Sequence, residues 1–543
     1  MSDRILIVGA GIGGLAAALD LAAEGHAVTL FEAAAQPGGK ARTLPSSAGP
    51  VQAGPTVLTL RPVFDALFAD AGLALSDHVR TVREPLLARH FWADGGVLDL
   101  VSDDDANADA IARLSGAHDA RTYRRFSTVA RRLFDAFEGP VMTAPAPSRA
   151  GVAAAMLRRP RLALDLAPWA TLDRRLAAFR DPRLRQLFGR YATYVGGAPD
   201  RSPALLSLVW EAERRGVWRV DGGVSALAAA LADAARAKGA EIRLSAPVAR
   251  IETDGARVTG LVAADGTRHA ADRVIFAGDP RALSQGHLGP DATRATAAPA
   301  TAARSLSARV WAFAATADGP DLAHHNVFFA DRPNAEFPDI RAGRMPRDPT
   351  LYLCAQDRGA GRAVPAGDER FEIIENAAPG DAPPDTDEEK DACRTRTFAR
   401  LARFGLRLSP APDLAALTTP GDFAALYPGS AGSLYGQSPS GLTAAFARPT
   451  ARTAIPGLYL AGGGAHPGAG VPMAAISGRL AAAAIRTDRA STSPSRRTAT
   501  PGGTSTDWPT TTPAPSRSSP SSARSSRPGT GGPGAGGQRT TSA

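Results

Sequence analysis

The chain has 543 residues, 62 basic and 53 acidic side chains, 44% hydrophobic residues and two cysteines, Cys354 and Cys393. At roughly 150 residues per domain, this length gives two or three domains with an ample core. Two cysteines exclude a disulfide framework, an iron–sulfur cluster and a cysteine-rich zinc site, and they fit a reducing compartment. The nine histidines show no HExxH-type spacing, so no metal site is read. Much of the net charge of +9 sits in the tail: from Ala490 onward six arginines (Arg496, Arg497, Arg517, Arg524, Arg527, Arg539) face one acid, Asp507. With +4 left for the rest, nucleic acid is not expected as a partner.

The N-terminus runs directly into a strand pattern, Arg4 to Val8, with no basic start and no small-residue cleavage site, so no signal peptide is expected. Leu15 to Ala23 has the apolar spacing of a helix, Gly25 ends it, and Ala27 to Phe31 predicts a second strand. Between strand and helix stands Gly9-Ala-Gly11-Ile-Gly-Gly14. Gly9 suits the tight turn, Gly11 lets a pyrophosphate approach the backbone, and Gly14 lets helix and strand pack closely. The helix N-terminus adds unpaired N–H groups for phosphate. Glu32 closes the second strand 18 residues beyond Gly14, where a carboxylate can bind both ribose hydroxyls and disfavours a 2′-phosphate. These residues predict a dinucleotide site for NAD or FAD, not NADP.

Leu60 to Val217 reads as mainly helical and rich in arginine. Within it, Met156 to Arg190 combines Leu, Phe and Trp with Arg158, Arg159, Arg161, Arg174, Arg175, Arg180, Arg183, Arg185 and Arg190. An interfacial surface attracted to anionic lipid has this composition, and so does an ordinary solvated face. Gly222-Gly223 marks a turn and Ala226 to Lys238 an amphipathic helix. Short strands are predicted at Ile242 to Leu244, Val248 to Glu252, Val258 to Val262 and Val274 to Ala277. The acid that follows the last of these strands, Asp279, could simply cap the next helix. Asp381 to Asp391 reads as a solvated acidic loop. Leu458 to Ala461 predicts a strand, followed by a glycine turn and a helix starting after Pro472, whose N-terminus can stabilise negative charge on a bound group. No stretch reaches the ~18 apolar residues of a membrane span, and from about Ser491 the Ser/Thr/Pro/Gly/Arg composition predicts disorder.

Several strings carry a family resemblance. Gly38-Gly39-Lys40-Ala-Arg42 resembles the GG-x-x-R continuation of the amine-oxidase and carotenoid-desaturase superfamily of flavoproteins, and Gly54-Pro55-Thr56 resembles its next flavin-contacting turn. Ala271 to Pro280 is similar to the second signature of the superfamily, and Val248 matches the position whose backbone contacts adenine. The stretch Gly463-Gly464-Ala465-His466-Pro467-Gly468-Ala469-Gly470-Val471-Pro472-Met473 resembles the phytoene-desaturase-type carotenoid desaturases, with Ala465 where a threonine is usual. Arg190 to Pro199, Gly216 to Gly223 and Leu434 to Pro439 look most like the 1-hydroxycarotenoid 3,4-desaturases of purple phototrophic bacteria.

The resemblance implies an α/β architecture. A Rossmann-like FAD-binding domain would be assembled from residues 1–60, 217–290 and 450–487. A β-sheet-plus-helical substrate domain would take residues 61–216 and 291–449, with a disordered tail over 491–543. It implies FAD held by Gly9, Gly11, Gly14, Glu32, Gly39, Lys40, Arg42, Gly54, Pro55, Thr56, Val248, Asp279, Gly463, Pro467, Gly470, Val471, Pro472 and Met473. His466 is expected either as a general base or as a residue that structures its turn. Tyr191, Tyr194, Trp210, Trp218 and Tyr435 are candidates for a substrate tunnel or for plain core packing. The implied substrate is an acyclic hydroxycarotenoid, desaturated between C3 and C4 by a cytoplasmic protein peripheral to the inner membrane. The electron acceptor stays open between oxygen, quinone and another carrier. The alternatives are another FAD-dependent carotenoid enzyme, such as a phytoene or neurosporene desaturase or an isomerase, or a non-enzymatic isoprenoid binder on the same fold.

Overall fold

Two strands, β1 (Arg4–Val8) and β2 (Ala27–Phe31), lie parallel and in register from Arg4 opposite Ala27 to Val8 opposite Phe31, joined by helix α1 (Ile12–Ala23). Ile5, Ile7 and Leu30 are fully buried, as the strands of a parallel sheet covered on both faces require. The computed structural model describes residues 2–296, 302–381, 383–441 and 444–492, so the disorder predicted for the tail lies, from residue 493 on, outside the described residues.

Later segments complete this sheet. After helix α2 (Gly223–Ala237) comes β3 (Glu241–Arg243), then β4 (Arg273–Phe276) and β5 (Leu458–Leu460), giving the all-parallel order β5-β4-β1-β2-β3. The long helix α3 (Val471–Thr492) packs against α1. Their backbones come so close that a Cβ at Gly478 would lie 2.1 Å from the Gly13 carbonyl oxygen. An antiparallel three-stranded sheet (Val248–Thr253, Val258–Ala263, Arg268–Ala270) flanks the parallel one.

The second large sheet is antiparallel except for one pair. Its strands include Leu86–Phe91, Val97–Val101, Ser307–Asp318, His325–Phe328, Leu351–Ala355 and Glu369–Ala377. The parallel pair is Leu86–Phe91 with His325–Phe328. Helices such as Ala117–Phe137 and Leu208–Arg214 pack an aromatic core around Tyr123, Phe188 and Trp210.

Three expectations change in detail. The region from Leu60 to Val217 is not uniformly helical, because Thr81–Glu84, Leu86–Phe91 and Val97–Val101 are strands. Their apolar alternation is short and lies between helical patterns, which hides it. The acidic stretch is only partly a loop: Thr386 and Glu389 form a capping box, and Asp387–Arg403 is a helix with Asp387, Glu388 and Glu389 in its first turn, where the helix dipole favours acids. Asp385 pairs with Arg309 at 2.8 Å and Asp381 with Arg281 at 3.0 Å, so two of those acids are tied to the fold. Finally, α2 begins at Gly223, whose φ of +77° suits glycine and whose Cβ position is filled by the Gln52 side chain.

Candidate functional site

The first glycine turn has three different constraints. Gly9 adopts a φ of +104°. A Cβ on Gly14 would sit 2.0 Å from the Gly9 carbonyl oxygen, so only glycine allows the helix to start there. A Cβ on Gly11 would meet nothing within 4 Å, so this backbone faces open space. Helix α1 has no side-chain cap and no acidic residue in its first turn, leaving its N–H groups and partial positive charge to an outside anion.

Glu32 lies at the end of β2, half-buried. Its Oε2 accepts from the Ala10 N–H at 2.6 Å and its Oε1 from the Ala34 N–H at 2.9 Å. A carboxylate has about four lone-pair sites, so acceptors remain for ribose hydroxyls. The segment leading to Val248 runs along this same edge: Ser245 N–H donates to the Ala34 carbonyl and Ala246 N–H to the Glu32 carbonyl, at 2.9 and 2.8 Å.

The Gly38–Arg42 string folds back on the first turn. Gly38 N–H donates to the Ala10 carbonyl at 2.8 Å, and a Cβ on Gly39 would be 3.2 Å from the Gly11 Cα. Gly54 in turn presses on this string, with its Cβ position 1.9 Å from the Lys40 carbonyl oxygen. Pro55 and Thr56 follow, and the Thr56 hydroxyl is hydrogen-bonded to the Tyr352 hydroxyl at 2.7 Å. Arg42 donates to the Thr418 hydroxyl, while its Nε is buried with no hydrogen-bond partner. Lys40 donates to the Leu434 carbonyl at 2.6 Å, and burial pushes its pKa down to about 8.

The C-terminal turn closes the same site. Gly462 approaches α1 so nearly that a Cβ on Gly13 would lie 2.6 Å from its nitrogen. Gly463, Pro467 and Gly470 lead into Val471, the first residue of α3, followed by Pro472 and Met473 in its first turn. Pro467 follows a cis peptide bond. His466 is buried; its Nε2–H donates to the Ala144 carbonyl at 2.9 Å, and its Nδ1 has no partner. Burial lowers its pKa, so the ring is neutral at pH 7. The side chain thus ties the C-terminal turn to Ala144, and Nδ1 is the ring nitrogen left without a partner. Asp279 caps the helix Pro280–Ser284 through the Arg281 N–H at 3.0 Å and pairs with Arg304.

Sequence reasoning missed Arg448. Its guanidinium donates to the carbonyls of Gly463, Tyr435 and Gln437 at 3.0, 2.8 and 3.0 Å, binding the Leu434–Pro439 string to the C-terminal turn. Among the described residues it forms no ion pair, and burial pushes its pKa down to about 10. Nothing around Ala447-Arg448-Pro449 signals this role. It also missed Glu372, an acid inside the otherwise apolar run Phe371-Glu372-Ile373, and the group His324, His325 and Cys354, whose ligand-type atoms lie within 4.8 Å of one another. Of the tunnel candidates, Tyr191 and Trp210 are core residues, whereas Tyr194, Trp218 and Tyr435 are only half-buried.

An open glycine backbone, an uncapped helix N-terminus, a carboxylate at the end of β2 and an orphaned arginine nitrogen together fit FAD. The architecture and this cradle define a flavoprotein of the dinucleotide-binding class. The profile of the flavin containing amine oxidoreductase family matches residues 12–335. Hydroxyneurosporene desaturase of Cereibacter sphaeroides is 55% identical over 491 residues, covering 90% of this chain and 99% of its own length. Hydroxyneurosporene desaturase of Rhodobacter capsulatus is 50% identical over 488 residues, covering 90% and 98%. An oxidoreductase from Methanosarcina mazei shares the fold, with a TM-score of 0.59 at 17% identity over 89% of this chain and 99% of its own. The chain belongs to the carotenoid desaturases of the flavin-containing amine oxidoreductase family, and its cofactor is FAD.

Proposed function

We propose that this protein is an FAD-dependent oxidoreductase acting on CH–CH groups, which introduces the C3–C4 double bond into an acyclic 1-hydroxycarotenoid of the hydroxyneurosporene type. The observation that carries this reading is the 55% identity to a hydroxyneurosporene desaturase along nearly the whole of both chains. Bound FAD supplies a two-electron acceptor for the hydride leaving the substrate. The protein orients the polyene, excludes water and provides the electrostatic surroundings. In this reading Glu32 holds the ribose, the N-terminus of α1 the pyrophosphate, and the N-terminus of α3 the negative end of the ring. His466 is the proton-accepting candidate through Nδ1.

The test is pigment analysis after 1-hydroxyneurosporene is supplied to membrane-reconstituted, FAD-loaded protein. A product two hydrogens lighter with a red-shifted spectrum is expected. Unchanged substrate, with FAD bound and a range of acceptors supplied, would point to a sibling carotenoid enzyme.

The substrate is water-insoluble, and we place the protein at a membrane surface, peripheral to the inner membrane. No helix among the described residues is long and apolar enough to cross a membrane. Support comes from Leu157, Leu164 and Trp169, which are 83%, 72% and 70% exposed. They lie on and beside the helices Arg149–Arg158 and Arg161–Leu166, among the exposed Arg158, Arg159, Arg161 and Arg174. Other arginines of that run are structural: Arg183 pairs with Asp181 at 2.7 Å, and Arg190 is buried. Burying one large apolar side chain contributes about 1.5–3 kcal/mol, or roughly tenfold or more in affinity. Trp169→Glu with Leu164→Glu is therefore expected to weaken binding to anionic vesicles by at least about tenfold, with flavin content unchanged. Undiminished sedimentation with the vesicles would remove this surface from consideration.

A further inference from the structure

We propose that Glu372 reads the terminal hydroxyl of the substrate, with Thr56 and Tyr352 beside it; this rests on the hydroxycarotenoid reading above. Glu372 lies in the strand Glu369–Ala377, opposite Cys354 on one side and Ala312 on the other. It has no solvent exposure, and neither carboxyl oxygen has a hydrogen-bond partner. A buried polar group left unpaired is costly, so an orphaned carboxyl calls for a partner. The Gly54 N–H and the Thr56 hydroxyl stand beside it without closing a hydrogen bond.

The Thr56 hydroxyl is already linked to the Tyr352 hydroxyl at 2.7 Å, and the Tyr352 hydroxyl to His325 Nδ1, also at 2.7 Å. This chain of polar groups fixes the wall around the carboxyl. Burial holds the Glu372 carboxyl well above the usual carboxylate range, against the pull of Arg42, which favours the protonated acid. A carboxylic acid offers one donor and one acceptor, which matches an alcohol.

The place also suits the chemistry. Through Gly54 against Lys40, and Gly39 against Gly11, this wall is continuous with the dinucleotide cradle. The hydroxyl at C1 is two carbon–carbon bonds from the reacting C3, so its reader has to stand next to the cofactor. The neighbouring strand residues Phe371 and Ile373 are buried in the apolar core, which leaves Glu372 as a polar break between them.

Holoenzyme in lipid vesicles, with its flavin held reduced by dithionite to prevent turnover, is titrated with three carotenoids carrying hydroxyl, methoxyl or hydrogen at C1. Binding is read from quenching of tryptophan fluorescence by the polyene. The hydroxyl form is expected to bind at least about tenfold more tightly than the hydrogen form, with the methoxyl form between them because it accepts but cannot donate. Glu372→Leu is expected to bring the three together, and Glu372→Gln, which both donates and accepts, to keep the preference. Equal binding of all three to the wild type overturns the proposal whether or not Glu372→Leu folds, as does a preference that survives in Glu372→Leu. Turnover by the oxidised wild type separates the two readings. Desaturation of the hydroxycarotenoid without a binding preference sinks only the role of Glu372. No desaturation of any hydroxycarotenoid sinks the reading beneath it as well.

Discussion

Replacing Gly14 by valine is expected to give a protein that carries no flavin. A Cβ at this position lies 2.0 Å from the Gly9 carbonyl oxygen, far inside any contact that real side chains make. Helix α1 would have to move away from β1, and the turn from Gly9 to Gly11 would move with it. Overpacking costs about 1–3 kcal/mol even where a core can yield, and here the obstructing atom is backbone. Gly11→Ala is the informative partner. Its new methyl meets no protein atom within 4 Å, so the fold is expected to persist while the approach of the pyrophosphate is obstructed. The expected pair of results is a lowered melting temperature with no flavin absorbance for Gly14→Val, and a near-normal melting temperature with weakened FAD binding for Gly11→Ala. A normal flavin spectrum in Gly14→Val would mean that the helix start is not held by this contact.

The same contrast explains what could be read from the residues alone. Gly9, Gly11, Gly14 and Glu32 are legible because they act within one short unit, where local spacing fixes three-dimensional position. The C-terminal string was legible for a similar reason: a strand, a glycine turn and a helix start follow one another directly. Arg448 and Glu372 were not, because their meaning lies in partners distant in sequence. Arg448 gains its role only when the Leu434–Pro439 string and the Gly463 turn come together around it. Glu372 is an ordinary strand-interrupting acid until Gly54, Thr56 and Tyr352 close around it.

The arginines show the limit from the other side. In the run from Met156 to Arg190 composition cannot separate a surface charge from a structural one. Arg158, Arg159 and Arg161 are exposed, while Arg175 donates to the Ser207 hydroxyl at 3.0 Å and Arg185 to the Phe179 carbonyl at 2.8 Å. Only the former can meet a lipid headgroup. The charge available to a membrane is therefore smaller than the sequence suggests, and the exposed Leu157, Leu164 and Trp169 carry correspondingly more of the proposed docking.

Glu213→Leu is expected to produce one of the largest losses of stability outside the glycine turns. Glu213 is buried, and its Oε1 accepts from Arg190 Nη2 at 3.0 Å and from the Tyr191 hydroxyl at 2.9 Å. Arg190 is also buried, with its guanidinium 4.9 and 5.0 Å from the ring centres of Tyr191 and Tyr194. Removing the carboxylate leaves a buried cation with no counter-charge, which costs about 3–5 kcal/mol. Removing both charges is different, because a buried pair replaced by apolar groups of similar size is often close to neutral. Arg190→Met with Glu213→Leu is therefore expected to regain much of the stability, short of the wild type because the Tyr191 hydroxyl stays unpaired. Denaturant unfolding of the two single variants and the double variant measures this coupling. If the single losses simply add in the double variant, the pair is not acting as a unit. Tyr194 stands near Tyr352, so the same variants connect stability to the site. A double variant that folds but binds hydroxycarotenoid poorly would mean that Arg190 and Glu213 also position groups that substrate binding needs.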